Sequence, residues 1–446
     1  MTSYEHPSHT LGTGSIDQKI AEVHSDEEIT PGEIAAGVII GRASEYFDFF
    51  VFGIACVLVF PYVYFPFLST LEGMLAAFAI FSLAFIARPF GTALSMAVQQ
   101  RWGMAVKMTI ALFLLGSATV GVALLPSYEN IGVQAIWWLI GLRIAQGLAV
   151  GGSWDGLPSL LAMNSPKEKR GWYAMIGQLG APIGFVIAAS VFAYIYSALS
   201  QEEFIAWGWR YPFCVAFAIN VVALFARLRL VADDGYTHMF KAMELAPSSA
   251  VDMTRSGEGK SVFLGALAAL ASYALFHLVT VFPLSWMTLY GDAPANSILW
   301  MQVMGALIAC AAMVMSGRMA DKFGRRNTLG AMAVLIALFS FATPMLLNGG
   351  TSGQNMFILI GFALLGLSYG QASGTVTANF SRKFRYVGAA YSADLAWLMG
   401  AAFAPLVALY LSSHFGPIAV GFYLLSGAVC TLAALGLNRA LESKRK

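Results

Sequence analysis

The stretch "GRMADKFGRR" (residues 317–326) connects two long apolar runs through a short loop that is rich in basic residues. A second loop, "MAVQQRWGMA" (96–105), lies in the same position between its own apolar neighbours. The two loops align at an offset of 221 residues, which places Gln100 on Asp321 and Gly103 on Gly324. Because this offset is close to half the chain, the pattern predicts two parallel repeats in tandem.

The composition predicts a membrane protein, most of which is surrounded by lipid. Of the 446 residues, 58% are hydrophobic and 11% are charged, and the mean hydropathy is +0.69. A soluble domain carries about a quarter charged residues. The net charge of +2 gives no reason to expect a nucleic-acid partner. The four cysteines are isolated, and no metal spacing, P-loop or nucleophile motif is present, so we expect neither a metal site nor an enzyme.

Windows of about 20 mostly apolar residues, the length of a helix that crosses a bilayer, can be placed twelve times. They lie at roughly 34–60, 72–98, 105–125, 132–160, 170–198, 208–230, 262–290, 295–316, 328–347, 355–379, 386–411 and 417–437. We therefore expect an all-α membrane protein with twelve transmembrane helices in two six-helix pseudo-repeats. The expected segments are an N-terminal tail (1–32), a first bundle (33–230), a linker (231–260), a second bundle (261–438) and a basic tail (439–446).

Basic residues mark one side of the predicted membrane protein. One set of loops carries nearly all of them, with Lys107 and Arg227 counted in this set, whereas the alternate loops hold Arg210 as their one basic residue. Loops rich in lysine and arginine stay in the cytoplasm. We therefore expect a multi-pass protein of the inner (plasma) membrane with both termini and the linker in the cytoplasm.

Several motifs resemble those of the major facilitator superfamily. "GRMADKFGRR" matches the loop signature G-x-x-x-D-[RK]-x-G-[RK]-[RK] in full, and "RIAQGLAVGG" (143–152) is similar to the family's fourth-helix motif. Four further stretches resemble the metabolite:proton symporter branch, which imports organic acids, aromatic acids or zwitterions such as proline and betaine. They are "EYFDF" (45–49), "ARPFG" (87–91), "QLGAPIG" (178–184) and "WGWRYPF" (207–213). The resemblance implies the major facilitator fold, alternating access, and a proton gradient in place of any cofactor.

The resemblance also implies a gate at the two signature loops. Its residues are Gln100, Arg101, Gly103, Asp321, Lys322, Gly324, Arg325 and Arg326. The chain departs from the family pattern at Gln100, where the first loop has aspartate, and at Ser153, where the branch has an acid. It departs again at Asp394, where the branch tends to have asparagine.

Three charges interrupt the apolar and aromatic stretch "GRASEYFDFFVFG" (41–53). On a helix, Glu45 lies about 60° from Arg42 and Asp48 lies about 60° further in the same direction, so they share one side. Arg143 lies at a similar depth in the fourth predicted span. A charge at the bilayer centre costs about 2.5–3.5 kcal/mol, so these groups should face the bundle interior. Either Arg143 and a carboxylate form a pair that changes as a proton or anionic substrate enters, or a static ion pair fixes helix packing.

Four more ionisable residues are candidates for substrate binding or proton coupling. Arg88 is a binding residue, a gate partner for Asp155, or a snorkelling side chain. His277 suits proton handling, with a packing role as the alternative, and Asp394 needs a partner or a proton. Aromatic side chains near these charges could stack on an aromatic acid or hold a quaternary amine. They are Tyr46, Phe49, Trp154, Tyr273 and Trp397.

Together these patterns predict a secondary transporter that imports a small organic or aromatic carboxylate with protons. The expected partners are that small molecule, protons and the bilayer, and the short C-terminal tail gives no coiled-coil reason for dimerisation, so we expect a monomer. Three alternatives remain open: proton-antiport efflux of a hydrophobic or cationic compound, import of a proline- or betaine-like zwitterion, and a non-transporting membrane sensor.

Overall fold

The computed structural model describes residues 31–153, 167–231, 248–372 and 380–443. Every regular element within these ranges is helical. The twelve membrane-crossing helices are α1 (Pro31–Leu58), α2 (70–102), α3 (104–124), α4 (Val133–Gly152), α5 (Arg170–Ala198), α6 (Arg210–Val231), α7 (259–290), α8 (Ala295–Phe323), α9 (Arg325–Leu347), α10 (Gly350–Ala372), α11 (Arg385–Phe415) and α12 (Ile418–Ser443).

This set agrees with the twelve spans expected from hydropathy. Within the described ranges, ten elements are long and apolar enough to cross a membrane. One of them, Thr70–Leu124, holds both α2 and α3, because Gly103 adopts a φ of 88° and turns the chain back. The charged helix α1 completes the twelve. Most of the expected linker lies outside the described residues, and its last part forms a short helix, Ala250–Arg255.

The helices form two bundles of six. In the first, α4 packs along α2 and α3, and α1 packs against α5 and α6; in the second, α8 packs on α10 and α9 on α12. The bundles meet chiefly where α5 contacts α8 and where α2 contacts α11. We call the end that carries the α2–α3 and α8–α9 loops the basic face and the other end the opposite face.

Two helices of the second bundle are interrupted partway along their length. Helix α7 consists of three segments, Gly259–Ala268, Leu270–Thr280 and Phe282–Tyr290, with Pro283 in the first turn of the third. Helix α11 contains one wide turn at Trp397–Ala401. The interruptions lie next to each other, so that the middle segment of α7 and Trp397 both contribute side chains to the bundle interface.

A glycine motif sets the distance between α4 and α2. A Cβ atom at Gly151 would collide with the carbonyl oxygen of Arg88 and lie 2.7 Å from the amide nitrogen of Thr92. Only a residue without a side chain permits this approach. The stretch "GLAVGG" therefore holds α4 directly on the turn of α2 that carries Arg88 and Thr92.

Candidate functional site

Glu45 of α1 is held by two arginines. Its Oε2 lies 2.8 Å from Nη1 of Arg42, and its Oε1 lies 2.8 Å from Nη1 of Arg227 on α6. Glu45 and Arg227 are 3% and 1% exposed, so the pair is shielded from water. Assigning Arg227 to a loop was wrong, although it fell inside the predicted span 208–230. The carboxylate thus ties α1 to α6 within the first bundle.

Asp48 has a different environment from Glu45. The amide nitrogen of Asn220 donates to Asp48 Oδ2 at 2.5 Å, while the Asn220 carbonyl oxygen accepts from the hydroxyl of Ser44 at 2.5 Å. Asp48 is 2% exposed, yet none of the three ion pairs among the described side chains includes it. It is a buried carboxylate with a neutral hydrogen-bond donor and no contacting cation.

Arg143 of α4 lies in a cage of phenylalanine rings. Its Cζ is 4.9, 4.1 and 4.6 Å from the ring centroids of Phe49, Phe52 and Phe81, distances typical of cation–π contacts. Its Nε donates to the Phe81 carbonyl oxygen at 3.2 Å, and its Nη1 donates to Gln146 Oε1 at 3.0 Å. Its Nη2 has no hydrogen-bond partner among the described residues.

The predicted ion pair between Arg143 and a carboxylate of α1 is therefore absent from this part of the structure. Glu45 is neutralised by other arginines, and Asp48 is bonded to α6, whereas Arg143 faces the rings of α1 and α2. The three groups share one region without contacting one another, and their role in transport stays a prediction.

His277 lies in the middle segment of α7 and is 1% exposed. Its ring centroid is 5.1 Å from that of Phe81 and 6.0 Å from that of Trp397. Its Nδ1 lies 3.4 Å from the hydroxyl oxygen of Thr280, and its Nε2 has no partner among the described residues. The histidine of the second bundle thus reaches Phe81, a ring that also contacts Arg143 of the first.

Four of the five predicted aromatic residues come together at the bundle interface. The Trp397 ring centroid lies 6.0, 6.5 and 5.0 Å from those of Tyr46, Phe49 and Tyr273. The Tyr46 hydroxyl is hydrogen-bonded to that of Tyr369 on α10. We call this group the central aromatic cluster. Trp154 lies outside the described residues.

Arg88 and Asp394 form an ion pair between the two bundles. Arg88 Nε lies 2.6 Å from Asp394 Oδ1, and the hydroxyl of Thr92 donates to Asp394 Oδ2 at 2.6 Å. All three residues are buried. Arg88 thus has a partner other than Asp155, which lies outside the described residues. The pair bonds α2 to α11, and Asp394, the departure from the branch pattern, supplies its negative charge.

Asp321, at the end of α8, also joins the bundles. Its Oδ1 accepts from the backbone amide of Gly171 at 2.6 Å, and its Oδ2 accepts from that of Trp172 at 3.2 Å. These amides begin α5 and have no partner within the helix. Arg325 Nη2 donates to the carbonyl oxygen of Arg170 at 3.2 Å beside them. The residues of the second signature loop therefore hold α8 against α5 at the basic face.

The two signature loops have matching backbones. Gly103 and Gly324, aligned by the offset, have φ values of 88° and 83°, where glycine is favoured. This agreement confirms the repeat. Arg326 donates to the carbonyl oxygen of Leu435 and so acts within the second bundle. Exposed on the basic face are Gln100, Arg101 and Lys322.

A further polar contact between the bundles was missed by the sequence analysis. Lys107 is 1% exposed, and its Nζ donates to Gln99 Oε1 and to the hydroxyl of Tyr386 on α11, both at 3.0 Å. Its assignment to a loop was wrong, because the side chain points inward from the first turn of α3. Its place inside the predicted span 105–125 was the available signal.

The family comparison places the chain with transporters of this fold. The family model described as the Major Facilitator Superfamily matches residues 50–394. The chain therefore belongs to the major facilitator superfamily and is a membrane-spanning transporter, not an enzyme, as the sequence motifs predicted.

Individual relatives agree with this assignment. The inner membrane metabolite transport protein YhjE of Escherichia coli K12 is 35% identical over 93% of this chain and 96% of its own length. The shikimate transporter of the same organism is 27% identical over 92% of this chain and 94% of its own. The xylose transporter XylE from E. coli, in a partially occluded inward-open conformation, matches with a TM-score of 0.68 and 16% identity, covering 90% of this chain and 96% of that chain. At this identity the likeness to XylE shows the fold alone.

Proposed function

We propose that the protein is a proton-coupled symporter that imports a small organic or aromatic carboxylate by alternating access. The observation that carries this proposal is the state of Arg143, whose guanidinium is surrounded by rings and has no counter-ion among the described residues. Arginine stays charged, and an uncompensated buried charge is costly. A substrate carboxylate would bring the missing charge and acceptors for Nη2 in a geometry that suits the guanidinium.

Asp48 is the proposed proton carrier. Protonation of Glu45 or Asp394 would leave a buried arginine without its counter-ion, because each is in an ion pair. Asp48 accepts a hydrogen bond from neutral Asn220 instead, so it can gain or lose a proton without that penalty. No cofactor beyond the proton gradient enters this scheme.

The contacts at the basic face are the proposed gate. Loops rich in lysine and arginine favour the cytoplasmic side, and the relative YhjE is named an inner membrane protein. With this orientation both termini are cytoplasmic, and the bundles touch on the cytoplasmic side through Arg88–Asp394, Asp321 and Lys107. Release of substrate into the cell would require these contacts to break. The proposed transporter acts as a monomer.

Import of a zwitterion is the second candidate. The central aromatic cluster supports it, because Trp397 lies within 6.5 Å of the rings of Tyr46, Phe49 and Tyr273, and aromatic faces attract quaternary ammonium groups. Such a ligand would still present its carboxylate to Arg143.

Uptake into proteoliposomes tests these proposals. Labelled shikimate, 4-hydroxybenzoate and glycine betaine are offered with and without an inward proton gradient to the wild type, Arg143→Ala, Arg143→Lys and a control, Arg255→Ala. Arg255 is an exposed arginine of the short helix Ala250–Arg255. We expect gradient-driven accumulation of an acid by the wild type and the control, a large loss in Arg143→Ala and a partial loss in Arg143→Lys.

Other outcomes identify the alternatives. Accumulation of betaine in place of the acids would select zwitterion import. Gradient-driven extrusion of a cationic dye, with no accumulation of acid or zwitterion, would contradict import and select efflux. Binding of an acid without flux, with or without the gradient, would select a sensor.

A further inference from the structure

His277 carries an unsatisfied nitrogen at the interface of the two bundles. The ring is 1% exposed, and the rings of Phe81, Phe85, Phe276 and Trp397 surround it. No described residue offers a hydrogen-bond partner to Nε2. Because buried polar atoms are nearly always hydrogen-bonded, such an atom calls for an explanation.

Thr280 decides which ring nitrogen carries the hydrogen. The Thr280 hydroxyl donates to the carbonyl oxygen of Phe276 at 2.8 Å, so its single hydrogen is already used. Its contact with His277 Nδ1 at 3.4 Å therefore has Nδ1–H as the donor. In the neutral ring one nitrogen donates and the other accepts. His277 Nε2 is then a buried acceptor that needs a donor from outside the described residues.

The same ring brings His277 and Arg143 together. Phe81 lies 4.6 Å from Arg143 Cζ and 5.1 Å from the centre of the His277 ring. The unpartnered Nη2 donor belongs to the first bundle and the unpartnered Nε2 acceptor to the second. The Phe81 ring is therefore in contact with both side chains that carry an unpartnered nitrogen.

We propose that the substrate is a hydroxylated carboxylate, whose carboxylate binds Arg143 and whose hydroxyl donates to His277 Nε2. This inference rests on the proposed carboxylate transport and adds the second recognition group. It makes His277 the specificity-determining residue of the second bundle, and the ligand then bridges the bundles by contacts that neither bundle supplies alone.

A hydroxyl fits this position better than an ammonium group. A cationic donor beside His277 would be a buried charge without a counter-ion, because the carboxylate of the same ligand is already paired with Arg143. A quaternary ammonium has no N–H to donate. The neutral hydroxyl supplies the donor without adding charge. The site would therefore bind acids that carry a hydroxyl in preference to amino acids and betaines.

Matched pairs of acids test the inference. The labelled probe is whichever of shikimate and 4-hydroxybenzoate the wild type accumulates. Unlabelled acids are added as competitors in three pairs, and their apparent affinities are compared: shikimate with cyclohexene-1-carboxylate, lactate with propionate, and 4-hydroxybenzoate with benzoate. Each pair differs by hydroxyl groups alone. In at least one pair the wild type should prefer the hydroxylated member by about tenfold or more, the range expected when a buried acceptor is left unpaired.

Variants of His277 complete the test. His277→Phe keeps a ring of similar shape and removes the acceptor. The ratio of the affinities for the hydroxylated and the deoxy acid should therefore fall to near one, while the affinity for the deoxy acid is kept. His277→Gln restores an acceptor and should recover part of the preference. The matched control is His414→Phe, because His414 is exposed at the end of α11.

The outcomes separate this inference from the proposed function. Equal affinity for both members of every pair in the wild type, a comparison that needs no variant, would overturn it. So would a His277→Phe variant that keeps its preference. Loss of acid uptake in Arg143→Ala together with either result would leave carboxylate transport standing, whereas accumulation of no acid by the wild type would remove both.

Discussion

The ion pair between Arg88 and Asp394 predicts how the protein moves between its conformations. Asp394→Asn keeps the shape of the side chain and removes its charge. The pair spans the two bundles between Trp397 and the basic face, so it exists only while the bundles are in contact there. Removing one partner of a buried ion pair costs about 3–5 kcal/mol, because the other charge is left uncompensated. When the bundles separate, Arg88 gains water, so this cost falls on the closed state.

The expected result is a shift toward the state that is open at the basic face. Even if Thr92 and the new amide offset part of the cost, a remaining difference of about 3 kcal/mol corresponds to roughly a hundredfold change in population. Ser95 is 8% exposed and lies one turn beyond Thr92 toward the basic face, so Ser95→Cys reports this opening. Maleimide labelling of that cysteine, in a background without the four native cysteines, should become faster by a factor of ten to a hundred.

Two further variants make the result decisive. Asp292→Asn removes an exposed carboxylate from the loop between α7 and α8 and should leave the labelling rate unchanged. The exchange of charges in Arg88→Asp/Asp394→Arg should restore slow labelling. Unchanged labelling in Asp394→Asn would refute the idea that the ion pair holds the basic face closed, and so would a charge-exchanged variant that labels as fast as the single one.

Three more substitutions test other parts of the structure. Asp48→Asn should abolish gradient-driven accumulation but keep the exchange of internal for external substrate in proteoliposomes. If the variant retains both accumulation and exchange, Asp48 is excluded as the proton carrier. Gly151→Val should abolish the single folded species in size-exclusion profiles, because its side chain meets the backbone of α2, whereas Gly141→Val, at a position with open space, should not. Glu45→Gln should lower thermal stability markedly, by about 3–5 kcal/mol in unfolding free energy, since the buried Arg227 and the partly buried Arg42 lose their shared partner.

The fold could be predicted because its signals are local. A run of apolar residues long enough to cross a bilayer identifies each span by itself. The residue spacing within 317–326 likewise identifies a loop without reference to any residue elsewhere in the chain. The two glycines at equivalent places in the signature loops could be aligned for the same reason, and their backbone angles agree.

The pairing of buried charges could not be predicted from local patterns. Arg88 and Asp394 are far apart in sequence, and neither spacing nor helical periodicity relates them. The helical wheel correctly placed Glu45 and Asp48 on the inner side of α1, but it could not show that Arg227, from another helix, would reach Glu45 first. Lys107 and Arg227 were assigned to loops because lysine and arginine near span ends are usually exposed.

The cage around Arg143 has a consequence for the response to membrane voltage. Phenylalanine rings stabilise the guanidinium without cancelling its charge, so the empty site carries one positive charge and the site with a bound carboxylate carries none. A charge that crosses the full field changes energy by about 2.3 kcal/mol per 100 mV. In the proposed scheme Asp48 is ionised when the empty carrier returns and protonated when the carrier is loaded, so Arg143, Asp48 and the substrate together carry no net charge in either state. Uptake of a monoanion with one proton should then be insensitive to voltage, whereas in Asp48→Asn, which lacks the compensating charge, an interior-negative potential should slow the return of the empty carrier.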